Sequence, residues 1–190
     1  MDWIRLVEIF AFVTGVAYIV LEILQKRSMW VVGLLTGAAC AASFAVQRSW
    51  GMMGLNLYYI VMSVVGLVQW GKDEEAVGEN VIHLRELPRK TAVWSAVGFV
   101  AGSLALIWLF RALGDGVSEL DATATALSVI ATWWLAKSYI QQWMLWVVAN
   151  ALTTALCIQN GQYWMAVLYL AYVASAVYGY VHWKKNGVKV

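Results

Sequence analysis

Gly66-Leu67-Val68-Gln69-Trp70-Gly71-Lys72 and Gly179-Tyr180-Val181-His182-Trp183-Lys184-Lys185 are two versions of one pattern, Gly-x-Val-x-Trp-x-Lys, displaced by 113 residues. The same displacement carries Trp30 onto Trp143, Ala42 onto Ala155, Met52 onto Met165 and Tyr59 onto Tyr172, and further upstream it pairs the acids Glu8 and Asp121. Trp30 to Lys72 and Trp143 to Lys185 thus align without a gap. Single Ala and Val matches are expected by chance in so apolar a chain. Tryptophan and glycine coinciding at both ends of equivalent apolar runs are not. The chain reads as an internal duplication of a helical membrane unit, and such units build transport sites at the repeat interface near the bilayer midplane.

Composition fixes the class. With 62% hydrophobic and 13% charged residues and 12 tryptophans in 190 positions, ordinary soluble usage is excluded. Apolar runs long enough to cross a ~30 Å hydrocarbon core fall near 5–24, 29–47, 51–70, 91–110, 121–137, 143–159 and 162–183. An all-α integral membrane protein of seven spans is expected, with spans one to three repeated as five to seven and span four left over. In this three plus one plus three plan the first repeat occupies 1–70, a cytoplasmic linker 71–90, a linker helix 91–112, the second repeat 121–183 and a cytoplasmic tail 184–190. An odd number of intervening spans keeps the two repeats parallel. The first apolar run is long and contains Glu8 and Glu22, so it does not read as a cleavable signal peptide.

Lys and Arg set the orientation. Arg5, Arg48 and Arg111 fall on the side of the N-terminus, and the other ten basic residues fall opposite. The N-terminus is expected outside and the C-terminus in the cytoplasm. The polar stretch from Gly71 to Lys90 is expected to be a solvated connector rather than a short amphipathic turn around Val81 to Leu87. The spans lack proline, so close helix contacts fall to glycines, Gly37 and Gly66 being mid-span.

Little supports catalysis. His83 and His182 lie in or beside cytoplasmic segments with no carboxylate or Cys at metal-ligand spacing, and read as structural. Cys40 and Cys157 read as free thiols packed inside apolar helices. Neither a metal nor another cofactor is expected. Ionisable groups in the spans sit near their ends: Glu8 and Asp121 on one side, Glu22 and Lys137 on the other, with Lys26 one turn from Glu22. Proton-coupled carriers place such groups deep in the membrane, so passive facilitated diffusion is favoured.

The candidate site is aromatic and uncharged. Trp143, Trp146 and Asn150 stand at i, i+3 and i+7 and project from one helical face. Indole faces attract a flat or cationic ring, and the carboxamide of Asn150 offers both a donor and an acceptor. The alternative assigns Trp143 to the interfacial aromatic belt and Asn150 to helix–helix adhesion.

The run Trp143-Met-Leu-Trp146-Val-Val-Ala-Asn150 resembles the WxxWxxxN/D motif of the PnuC family of bacterial vitamin transporters. The opening of the fifth span from Asp121 to Ser128, the third-span residues Tyr58 to Met62 and Gly66 to Trp70, and the terminal run Tyr178 to Lys185 are also similar, so the likeness covers nearly the whole chain. The resemblance implies a SWEET-like fold, a homotrimer in the bacterial inner membrane, and facilitated uptake of nicotinamide riboside, trapped by a cytoplasmic nucleoside kinase. The chain departs from the family pattern at Ser28 and Val31, where a Trp and a Pro are usual, at Leu67 in place of Trp, and at Thr132 in place of Gln.

On that reading Trp143 and Trp146 stack on the pyridinium ring, Asn150 reads an amide or hydroxyl, and Thr36, Asn56, Ser128 and Thr132 meet the ribose. Tyr59, Tyr172, Gln69, Trp70 and Trp183 are candidates for walls or gates, or else interfacial anchors. Thiamine is also a cationic aromatic and stays open, as does riboflavin within the family. From other classes, a sugar facilitator and a non-transporting membrane scaffold remain. No nucleic-acid partner is expected.

Overall fold

The computed structural model describes residues 3–48, 50–112 and 119–190; the side chains of residues 3–5, 7–9, 11, 12 and 110, Glu8 among them, lie outside the description. Among the described residues the chain forms seven α-helices: α1 (Trp3–Ile23), α2 (Ser28–Val46), α3 (Trp50–Val77), α4 (Arg89–Ala112), α5 (Glu119–Ala136), α6 (Gln142–Gln159) and α7 (Tyr163–Asn186). Two short strands, β1 (His83–Leu84) and β2 (Val188–Lys189), pair with each other. Helices α2, α3, α4 and α7 are each long and apolar enough to cross a membrane, and a shorter apolar helix runs over Val13–Ile23.

The chain divides into two compact units. The first comprises Met1–His83 with Asn186–Val190, the second Leu84–Lys185. Within the first, α1 packs on α2 and α2 on α3. Within the second, α4 packs on α5 and α5 on α6. Trp134 pins the α4–α5 contact by donating from Nε1 to Ser95 Oγ at 3.0 Å.

The duplication seen in side chains recurs in the backbone of the turns. Gln25 and Ser138, 113 residues apart, both adopt the left-handed region, with φ of 49° and 58°. So do Arg48 and Gly161, at 56° and 70°. The turn bonds repeat too: Lys26 N–H donates to Leu21 O (2.8 Å) as Tyr139 N–H does to Trp134 O (3.0 Å), and Arg48 N–H to Ala45 O as Gly161 N–H to Ile158 O, both at 3.1 Å. These left-handed residues stop each helix and turn the chain back within a few residues.

Each unit also contains the same aromatic clasp. In the first, Trp30 lies against Gly66 and meets Trp70 edge to face, centroids 5.1 Å apart at 75°. In the second, Trp143 lies against Gly179 and meets Trp183 at 5.4 Å and 89°. A Cβ on Gly179 would stand 2.5 Å from the Trp143 ring, and one on Gly66 would stand closer still to Trp30. In a bilayer the lipid is as apolar as the protein interior, so contact depends on how closely backbones approach, and glycine permits an indole to lie directly on a helix. The edge-on tryptophan pair adds about 0.5–1.5 kcal/mol.

The connector between α3 and α4 corrects the expectation from sequence. Helix α3 runs past the end of its apolar stretch to Val77, and Ile82, His83 and Leu84 are buried rather than solvated. The segment enters the fold because its backbone polar groups are satisfied there. In the first unit the Gln25 amide clamps His83, accepting its N–H at 2.7 Å and donating to its C=O at 2.8 Å, while Val188 N–H donates to Ile82 O at 2.7 Å. In the second, Arg85 N–H donates to Ser138 O at 2.8 Å and Arg85 O accepts from Ile140 N–H at 3.1 Å. Paired backbone removes the main cost of burying a loop. Lys26, expected near Glu22, donates instead to Asn80 Oδ1.

Candidate functional site

The candidate residues divide between the two units. In the second, Trp143, Trp146 and Asn150 lie on α6, Ser128 and Thr132 on the packed helix α5, and Tyr172 and Trp183 on α7. At about 100° per residue, Trp143, Trp146 and Asn150 span only ~60° of the α6 circumference. Trp146 and Asn150 are half-buried. Trp143 is buried, with its ring seated on Gly179 and Trp183, so of the two indoles it is the one committed to the clasp. The α5 hydroxyls are turned to their own helix: Ser128 Oγ donates to Ala124 O at 2.9 Å, and the buried Thr132 donates through Oγ1 to Ser128 O at 2.8 Å. Each such oxygen keeps lone pairs for a donor. Tyr172 meets Tyr169 edge-on at 5.6 Å.

In the first unit, Thr36 lies on α2, and Asn56, Tyr59, Gln69 and Trp70 on α3. Thr36 Oγ1 is buried with no hydrogen-bond partner among the described residues. Asn56 Nδ2 donates to Met52 O at 2.8 Å, and Tyr59 packs against Tyr58 at 5.7 Å. Gln69 Nε2 donates to Asp73 Oδ1 at 3.1 Å. Trp70 and Trp183, offered as walls or gates, are both fully buried in their clasps. Trp70 also touches His83, whose Nδ1 lies 3.9 Å from Asp73 Oδ2, so this histidine is fixed among Gln25, Trp70 and Asp73.

Sequence reasoning passed over Gln142. It is fully buried in the first turn of α6, and neither its Oε1 nor its Nε2 has a partner among the described residues. The indole Nε1 atoms of Trp143 and Trp146 are buried and unpartnered there as well. The available signal was the repeat itself: the position equivalent to Gln142 in the first copy is Met29, also fully buried, so an amide has been placed where the fold needs only an apolar side chain.

The arrangement on α6 is one of aromatic and amide groups. It presents indole and carboxamide groups, and the helix contains no Lys or Arg.

The sequence model of the nicotinamide mononucleotide transporter family matches residues 5–185. Among curated proteins the chain is similar to the nicotinamide riboside transporter PnuC of Neisseria mucosa, 31% identical over 92% of this chain and 70% of that one. It is also similar to the PnuC proteins of Haemophilus influenzae (26% identical, 91% and 76% covered) and Escherichia coli (23% identical, 96% and 85% covered), which bear the same description. Among solved structures, the crystal structure of the vitamin B3 transporter PnuC matches with a TM-score of 0.69 and 26% identity, over 93% of this chain and 79% of that one. With its apolar helices, the chain is a multi-pass membrane protein of a transporter family.

Proposed function

We propose that this chain, which belongs to the nicotinamide mononucleotide transporter family, carries nicotinamide riboside across the bacterial inner membrane by facilitated diffusion. The observation that carries the substrate is the α6 face, where Trp146 and Asn150 stand half-buried beside the buried Trp143, within chain-long similarity to proteins described as nicotinamide riboside transporters. A pyridinium cation suits an indole face, worth up to ~2 kcal/mol when desolvated. A mononucleotide would add a phosphate, which calls for Arg or Lys, and α6 contains neither.

The reading extends to mechanism. Two three-helix repeats, α1–α3 and α5–α7, are joined by α4, and transport proceeds by conformational changes that open the α6 site to each side of the membrane in turn. The repeated turns and clasps support that plan. The basic residues favour an external N-terminus and cytoplasmic C-terminus. A cytoplasmic kinase that phosphorylates the riboside would make passive uptake unidirectional. A homotrimer fits helix α4, where Gly98 and Gly102 are spaced as a small-xxx-small pair. A Cβ added at either glycine would meet no atom of the described residues within 4 Å, which leaves a face for a close helix contact between copies.

The test is titration calorimetry of the detergent-purified protein with nicotinamide riboside, using thiamine as competitor. Saturable binding that thiamine does not displace is expected. Binding of thiamine alone would keep the family and overturn the substrate.

A further inference from the structure

The two copies share a backbone pattern but not their chemistry. Transferring α6 onto α2 by the 113-residue displacement sets Gln142 on Met29, Trp143 on Trp30, Trp146 on Gly33 and Asn150 on Gly37. Only the clasp tryptophan is kept. In the first copy Gly33 and Gly37 are filled by neighbours: a Cβ at Gly33 would meet the Tyr18 ring and Ser63 Oγ, both at 3.0 Å, and one at Gly37 would meet Ile60 at 3.1 Å. The second copy replaces those packing positions with Trp146 and Asn150, and has the fully buried Ala131 at the position of Tyr18. Helix α2 is built for contact and α6 for recognition.

Gln142 belongs to the recognition set. Along α6 it lies one turn before Trp146 and, at 1.5 Å per residue, ~12 Å before Asn150, and all four side chains fall within an arc of about 100°. A buried amide with both ends unpaired costs about 1–3 kcal/mol for each group left unsatisfied, and Met29 shows that the fold does not require it. A primary carboxamide is the chemical complement of such a group, since Oε1 accepts from an amide N–H while Nε2 donates to an amide C=O.

We propose that Gln142 is a specificity-determining residue that reads the carboxamide of the transported ligand, leaving the ring to Trp146 and the ribose hydroxyls to Asn150. This assignment rests on the nicotinamide riboside reading above. Gln142 is covered on all sides, so the ligand reaches it when alternating access uncovers the α6 face.

The experiment compares wild type with Gln142→Met, which copies the first repeat, and with Gln142→Leu as a second apolar replacement. Binding of nicotinamide riboside and of its analogue lacking the carboxamide, pyridinium riboside, is measured by calorimetry on full-length detergent-purified protein, with thermal unfolding recorded alongside. Wild type is expected to prefer nicotinamide riboside at least tenfold. In either variant that preference collapses to within twofold while the unfolding temperature is unchanged or higher. A variant that folds and retains the tenfold preference overturns the assignment of Gln142 but leaves the substrate reading intact. A wild type that binds neither riboside overturns the substrate reading and this assignment with it.

Discussion

Gly179 has no side chain, and that absence decides where Trp143 lies. Gly179→Ala should force the buried indole out of its seat, costing about 1–3 kcal/mol as over-packing does. The check is a lower unfolding temperature in detergent, and an unchanged one would mean that the ring yields freely. Asn150→Ala, which leaves the clasp alone, should insert and melt like wild type yet bind nicotinamide riboside at least tenfold more weakly, or about 1.4 kcal/mol. Wild-type affinity would remove Asn150 from the site. The difference between these two residues marks what the sequence could reveal. Spacing places Trp143, Trp146 and Asn150 on one helical face, because that follows from 3.6 residues per turn. It does not say what faces them, so the commitment of Trp143 to Gly179 and the isolation of the Gln142 amide emerge only when α6 is seen against its neighbours.

At the level of elements, each apolar run became a helix within a few residues of its expected limits, because an apolar segment away from water must satisfy its backbone internally. Helix α3 is the instructive departure. Hydropathy marks where lipid stops, at about Trp70, whereas hydrogen bonding continues into polar sequence and ends at Val77, just before Gly78 at a φ of 101°. The buried 82–84 segment was illegible for a related reason. Its partners are the Gln25 side chain and the Val188 backbone, far away in sequence and carrying no periodic signal. Val188→Pro, which removes the N–H donated to Ile82 O, should cost about 0.5–1.5 kcal/mol. Hydrogen exchange near residue 82 should rise while the exchange of α2 stays as it was; equal protection in both proteins would show that β2 does not hold the segment.

For the whole molecule, passive carriage has a definite signature. Proteoliposomes without a kinase should fill with labelled nicotinamide riboside only to the external concentration, at a rate indifferent to a collapsed pH gradient. Accumulation above that level would establish coupling to an ion and end the facilitated-diffusion reading. Duplication, the most legible property of the chain, also gave the least warning of its asymmetry, since identical residues reveal common descent while the residues proposed to bind the ligand, Gln142, Trp146 and Asn150, sit where the copies disagree.

The left-handed turns carry one more implication. Where the second copy uses Gly161, the first holds Arg48 in the same conformation at φ 56°, a geometry that costs a residue with a Cβ roughly 1–2 kcal/mol. Each half is in effect a naturally mutated version of the other, and the better solution to a local problem can be transcribed across. Arg48→Gly, borrowed from within the same polypeptide, should raise the unfolding temperature without touching α6, and the molecule thereby supplies its own template for being made sturdier.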